Sequence, residues 1–328
     1  MSILKVDHLC VDYRSRTGHI RLVDDVSFDI QPNKTLAIVG ESGCGKSMTA
    51  LAMMRLLPDG ATITKGVITL QGTSLTGLPE AQMRDIRGAS MSMIFQEPMT
   101  SLNPVFSVGE QIAEVLRLHT DLDKQQVREK VQALIRSVGI SDASQRSSAY
   151  PHELSGGMRQ RIMIAMALAC SPKVLIADEP TTALDVTVQA QIFSLLRDLQ
   201  ARTSTAIVLI THDMGVVAEM ADDIIVMYAG RLAERGSVET VLSQPAHPYT
   251  RGLIDCVPHL QLGSNVSHKP VTEIPGVVPA LETIGAGCPF ASRCGLSEER
   301  CETVMPELLE VRPSHQVACW NSQEGISQ

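Results

Sequence analysis

The first residues, "MSILKVDHLCVDY", interleave Lys5, Asp7 and His8 with apolar positions and start like a strand, the first of a β-rich region that reaches to about residue 90. Within it, the short apolar run from Leu36 to Val39 reads as a buried strand, and a helix-forming stretch follows it after a Gly-rich turn. From Gly109 to Gly139 the period changes. "VGEQIAEVLRLH" and "QVREKVQALIRSVGI" carry apolar residues at helical spacing with charged residues between them, which predicts a helical subdomain. A further helix, "LSGGMRQRIMIAMALA", leads into alternating βα units that continue to about residue 240 and include a buried parallel strand from Val174 to Ala177. The C-terminal part reads differently: Pro289, Pro306 and Pro313 mark it as loop-rich, and "QLGSNVSHKP", residues 261 to 270, as the best linker. No internal repeat or low-complexity tract stands out. The boundaries this predicts are a domain over residues 1–240, with its helical subdomain at about 97–157, and an extension over 241–328.

At 328 residues, 44% hydrophobic and 20% charged, the chain can bury a sizeable core. A net charge of −8 argues against broad electrostatic binding to nucleic acid, which needs a clustered excess of Lys and Arg. The N-terminus lacks the uninterrupted apolar core of a secretory signal, and "IMIAMALAC", residues 162–170, is the longest tempting apolar run, far short of a membrane-spanning helix; the chain is expected to be soluble by itself. Eight cysteines without an export signal point to thiols or a metal site in preference to disulfides.

The strongest chemical signal is Gly40-x-x-x-x-Gly45-Lys46-Ser47, set between a strand and a helix as a phosphate-binding P-loop requires. Its backbone N–H groups, through Ser42, Gly43, Cys44 and Gly45 to Met48, would cradle phosphates at the positive end of the helix. Lys46 would reach the β- and γ-phosphates and Ser47 would offer its hydroxyl to Mg²⁺. The strand Val174 to Ala177 delivers Asp178 and Glu179 at its C-terminal end, Asp178 to hold Mg²⁺ and Glu179 to orient or deprotonate the attacking water. Ser155, Gly156 and Gly157 precede a helix, so a hydroxyl and exposed N–H groups can face a γ-phosphate.

With "LSGGMRQRIMIAMALA" and "VLITHDMGVVAEMADDIIVMYAGRL", the sequence resembles the ATP-binding subunits of ABC transporters. Leu154-Ser155-Gly156-Gly157-Met158 is similar to the family signature, with Met158 where Gln is usual. The resemblance implies that Tyr13 stacks on adenine, that Gln96 is the Q-loop residue and a catalytic and Mg²⁺ ligand, that Asp185 belongs to the D-loop, and that His212 is the switch histidine. It also implies an α/β fold of P-loop NTPase type: a RecA-like core, a helical subdomain and a small, loop-rich, cysteine-containing extension. ATP would sit between two such subunits, each P-loop completed by the other's signature. "EPMTSLNPVF" resembles the segment facing membrane subunits, with Met99, Leu102 and Phe106 either at that surface or buried locally.

"FQEPMTSLNP", "HPYTRGL" and the terminal cysteine block narrow the resemblance to the oligopeptide/dipeptide permease group. That group implies a bacterial importer with two transmembrane subunits, a second related ATPase as a heterodimer partner and an external substrate-binding protein. This chain would be peripheral at the cytoplasmic face of the inner membrane, and peptides would be the cargo; relatives handle nickel, opines and sugars. A soluble ABC-type ATPase acting on DNA or ribosomes is the competing class, opposed by the lack of a coiled-coil insertion and of a second P-loop. Cys288, Cys294, Cys301 and Cys319, separated by five, six and seventeen residues, suit either Zn²⁺ or a [4Fe–4S] cluster, although zinc ligands usually stand closer in sequence. The family resemblance favours the iron–sulfur cluster, with His315 able to replace one Cys. Cys10, Cys44, Cys170 and Cys256 are expected to pack as small apolar residues or to line the P-loop.

Overall fold

The computed structural model describes residues 2–15, 18–96, 101–181, 184–256 and 273–323. The expected linker at 261–270 and Met99 lie outside them. Two compact units interleave along the chain: one comprises Met1–Leu4, Ile30–Lys34 and Leu70–Val208, the other Lys5–Asp29, Thr35–Thr69 and Leu209–Gln328.

In the first unit, three helices, Val108–His119, Lys124–Ser137 and Gly156–Ala167, pack on one another. The chain breaks between the first two because Asp123 leaves helical geometry and its carboxylate accepts the N–H groups of Gln125 and Gln126, a capping box that Gln126 closes. Val127, Val131 and Ile135 then recur every four residues on the buried face, and each such burial stabilises by about 1.5–3 kcal/mol. The strand Met91–Ile94 runs parallel to Val174–Asp178, and both are buried along their whole length. Parallel strands covered on both faces read as unbroken apolar runs, which is why "VLIA" was legible. Of the apolar residues after Gln96, Leu102 is only 2% exposed and is therefore core, whereas Phe106 is 50% exposed.

In the second unit, the strands Gly18–Ile30, Leu4–Ser15 and Ala61–Leu70 lie side by side in that order. Thr35–Val39, fully buried, pairs parallel with Asp223–Tyr228, which pairs antiparallel with Arg231–Ser237. The C-terminal extension continues this sheet: His315–Val317 pairs with Arg231–Ser237, and Leu309–Arg312 pairs with His315–Val317. The loop-rich extension thereby covers a sheet edge. It also shares a core with the rest of the unit, where Tyr249 and Phe290 join Val39, Val226 and Tyr228.

His315 does not face the thiols. It is fully buried, and its Nε2 meets the equally buried Glu234 carboxylate at 2.6 Å, which corrects its assignment as a substitute ligand. The same carboxylate accepts the N–H groups of Ala246 and His247 at 2.8 Å each. Burial disfavours its charge, but the hydrogen bonds from His315 and these amides outweigh that and hold the Glu234 carboxyl below the usual range. Beside it, burial pushes the His247 imidazole down to about 4, so its Nδ1 accepts the N–H of Tyr249.

Candidate functional site

The P-loop turns where only glycine fits. A Cβ on Gly40 would lie 2.3 Å from the Met227 carbonyl oxygen, and one on Gly45 would lie 2.8 Å from that of Leu22, with Gly45 at φ 102°. From behind, Gly230 N–H donates to the Cys44 carbonyl at 3.0 Å. Gly45 opens the helix Lys46–Met54 with no side-chain cap, whereas Ser107, Asp123 and Ser155 cap theirs. The first N–H groups of that helix therefore have no side chain of their own to accept them, the arrangement that suits a phosphate. Lys46, 6% exposed, folds back so that Nζ donates to the carbonyls of Gly40 at 2.7 Å and Glu41 at 3.1 Å. Ser42 and Gly43 are exposed, and Ser47 and Met48 are half-buried at the helix start. Cys44 is buried against Lys46, and burial raises its thiol. Tyr13, 38% exposed near the end of Leu4–Ser15, has Gly60 beneath its ring and remains accessible to a planar ligand. His212 is exposed, immediately after the strand Ala206–Thr211.

The sequence reading assigned no role to Glu41, yet the C-terminal extension grips it. Tyr249 Oη accepts the Glu41 N–H at 2.7 Å. Arg293 donates to both carboxylate oxygens of Glu41, at 2.6 and 3.0 Å. Tyr249 lies in "HPYTRGL" and Arg293 in the terminal cysteine block, and contacts 208 and 252 residues apart carry no local signal.

In the other unit, buried Asp178 ends the strand Val174–Asp178, and Glu179 follows with φ 44°, the left-handed region that a non-glycine residue seldom occupies. The Gln96 side-chain amide donates to Glu179 Oε2 at 2.9 Å, so two of the expected catalytic residues meet directly. Ser155 caps the helix Gly156–Ala167, its Oγ accepting the Met158 N–H at 3.3 Å, and leaves Ser155 and Gly156 exposed to solvent. Met158 thus meets the Ser155 cap through its backbone N–H, a contact that does not depend on its side chain. Asp185 is likewise a cap: its carboxylate accepts the Val188 N–H at 2.9 Å at the start of Val186–Thr203.

All eight cysteines are free thiols. Cys288, Cys294, Cys301 and Cys319 line one small pocket with Phe290 and Trp320. Burial, reinforced by the neighbouring thiols, pushes Cys288 up to about 11. Among the described residues no three His, Cys, Asp or Glu side chains meet closely enough to hold a metal ion. Zinc, with Zn–S bonds of about 2.3 Å, would require the thiols to close further on one another. The cluster expectation likewise has no ready-made ligand group; what the chain offers is a soft set of four thiols around one space.

Residues 23–182 match the family described as ABC transporter, and residues 233–301 match that described as oligopeptide/dipeptide transporter, C-terminal region. A probable peptide ABC transporter ATP-binding protein of Sinorhizobium fredii is 49% identical over 99% of this chain and 96% of its own length. The chain belongs to the ATP-binding subunits of ABC transporters. The dipeptide transport ATP-binding protein DppD of Bacillus subtilis is 48% identical to this subunit, over 97% of this chain and 94% of its own. The oligopeptide transport ATP-binding protein OppD of Haemophilus influenzae is 47% identical over 98% of each. Among solved structures, an ATP-binding cassette dimer in a post-hydrolysis state has a TM-score of 0.65 at 24% identity, covering 72% of this chain and 98% of its own, which shows the shared fold. This ABC subunit is an ATPase, and ATP and Mg²⁺ are expected for a member of its family.

Proposed function

We propose that the chain is the ATP-hydrolysing subunit of a bacterial importer for di- and oligopeptides, peripheral at the cytoplasmic face of the inner membrane. The observation that carries this reading is that likeness to peptide-transport subunits runs the full length of the chain, including the extension at 233–301. Among the described residues no helix is long and apolar enough to cross a membrane, which agrees with two separate permease subunits supplying the channel. A second related ATPase and an external binding protein complete the assembly.

In this reading the P-loop amides and Lys46 hold the phosphates and Tyr13 stacks on adenine, while Ser47 and Asp178 would hold Mg²⁺, which would offset charge on the phosphates. Glu179, steadied by Gln96, takes a proton from the attacking water as its oxygen joins the γ-phosphorus and ADP departs, while His212 and the partner's signature residues stabilise the charge on the phosphoryl oxygens. Ser155, Gly156 and Gly157 do the same for the partner's nucleotide. The four thiols Cys288, Cys294, Cys301 and Cys319 fit a [4Fe–4S] cluster by donor type, and a bound cluster would staple the loops that carry them.

Uptake competition tests the cargo. Cells carrying the transporter should accumulate a labelled dipeptide, and excess unlabelled peptides should suppress that uptake by more than tenfold. Competition by nickel, an opine or a sugar, with peptides inert, would replace the peptide reading by the corresponding one.

A further inference from the structure

Arg293 lies in the turn Ala291–Arg293, between Cys288 and Cys294, yet its side chain leaves the thiols and reaches the P-loop. It is built into place. Its side chain is 4% exposed, Nε donates to the Pro275 carbonyl at 2.8 Å, and one terminal nitrogen also donates to Tyr228 Oη at 3.2 Å. The guanidinium stands 5.8 Å from the ring centres of both Tyr228 and Phe290. The other terminal nitrogen also donates to the Ile274 carbonyl at 3.4 Å, and both terminal nitrogens form a two-pronged pair with the Glu41 carboxylate, whose side chain is 27% exposed. Such a fork fixes direction as well as distance, which a lysine cannot do. On the backbone side of the same residue, Tyr249 Oη accepts the Glu41 N–H, so side chain and main chain of Glu41 are both held by the extension.

We propose that Arg293 and Tyr249 are positioning residues for the nucleotide site: by holding Glu41 they fix the first turn of the P-loop, and the turn between the cysteines thereby sets the affinity for ATP. Two features of the loop carry this beyond a mere anchor. Glu41 directly follows Gly40, where an added Cβ would lie 2.3 Å from the Met227 carbonyl oxygen, and the Glu41 carbonyl accepts a hydrogen bond from Lys46 Nζ. A change in Glu41 therefore acts on the lysine expected to bind the phosphates. Release of the fork would let the loop sample other shapes, and ATP would have to reorder it on binding, which lowers affinity without touching the chemistry.

This inference rests on the P-loop being the ATP site, and the test separates the two. Equilibrium binding of a fluorescent ATP analogue to the full-length chain would be measured for wild type, Arg293→Gln, Arg293→Lys, Glu41→Gln, the Arg293→Gln/Glu41→Gln double variant and Tyr249→Phe, which keeps the buried ring and removes only the hydroxyl. The expected result is about tenfold weaker binding for Arg293→Gln and for Glu41→Gln, with the double variant no worse than either, a coupling of about 1.4 kcal/mol. Tyr249→Phe should weaken binding several-fold, and Arg293→Lys should fall between wild type and Arg293→Gln. In the assembled transporter, KM for ATP should rise while kcat stays within twofold. Wild-type affinity in Arg293→Gln, or a roughly hundredfold loss in the double variant, would overturn the inference alone. Failure of the wild type to bind the analogue would overturn the P-loop assignment and this inference with it.

Discussion

Glu179 occupies the left-handed region at φ 44°, a conformation that costs a non-glycine residue roughly 1–3 kcal/mol and persists where the surroundings impose it. Gln96 is one such constraint, through its 2.9 Å hydrogen bond to Oε2. Glu179→Gln preserves shape and removes the base, so single-turnover hydrolysis should slow by roughly 10²–10⁴-fold while ATP binding holds within a few-fold. Undiminished hydrolysis in that variant would remove Glu179 from the chemistry. Neighbours in sequence made Asp178, Glu179, Ser155 and the P-loop legible, because each motif places its groups on a few consecutive residues. The pairing of Gln96 with Glu179 spans 83 residues and needed coordinates.

Among the elements, the helices Val108–His119 and Lys124–Ser137 were readable from period alone, and the capping at Asp123 explains where the pattern breaks. Asp123→Ala should cost about 1 kcal/mol, read as a fall in the melting midpoint, because two backbone N–H groups lose their acceptor. The strands Leu309–Arg312 and His315–Val317 were not readable, since charged and short segments at a sheet edge lack alternation strong enough to mark them. What holds them is the buried set of Glu234, His315 and His247. His247 falls from its ordinary 6.5 to about 4 on folding, and the Glu234 carboxyl is also lowered. In both cases the unfolded chain takes up protons first as pH drops: the His247 contribution is present above about pH 6.5 and is lost progressively toward pH 4, and the Glu234 contribution is lost only below its ordinary 4.5. Thermal unfolding should therefore show a midpoint that declines from pH 7 to pH 5, and His247→Gln should flatten that slope.

For the whole molecule, the extension links three things that the sequence presents separately: four thiols, a sheet edge and the P-loop residue Glu41. If the thiols carry the proposed cluster, anaerobically purified protein should contain about four irons and four acid-labile sulfides per chain, and Cys294→Ser should lose them. Iron-free protein with intact ATPase would leave the pocket as a cluster of thiols only. ATP turnover in this chain drives peptide import. This coupling is tested most directly by measuring ATP hydrolysis and labelled-dipeptide uptake together in proteoliposomes that hold the complete transporter and its binding protein. Wild type should show uptake that depends on ATP at the face carrying this chain, and Glu179→Gln should lose the greater part of both activities in parallel. ATP hydrolysis without any accumulation of peptide, or uptake undiminished in Glu179→Gln, would contradict the account.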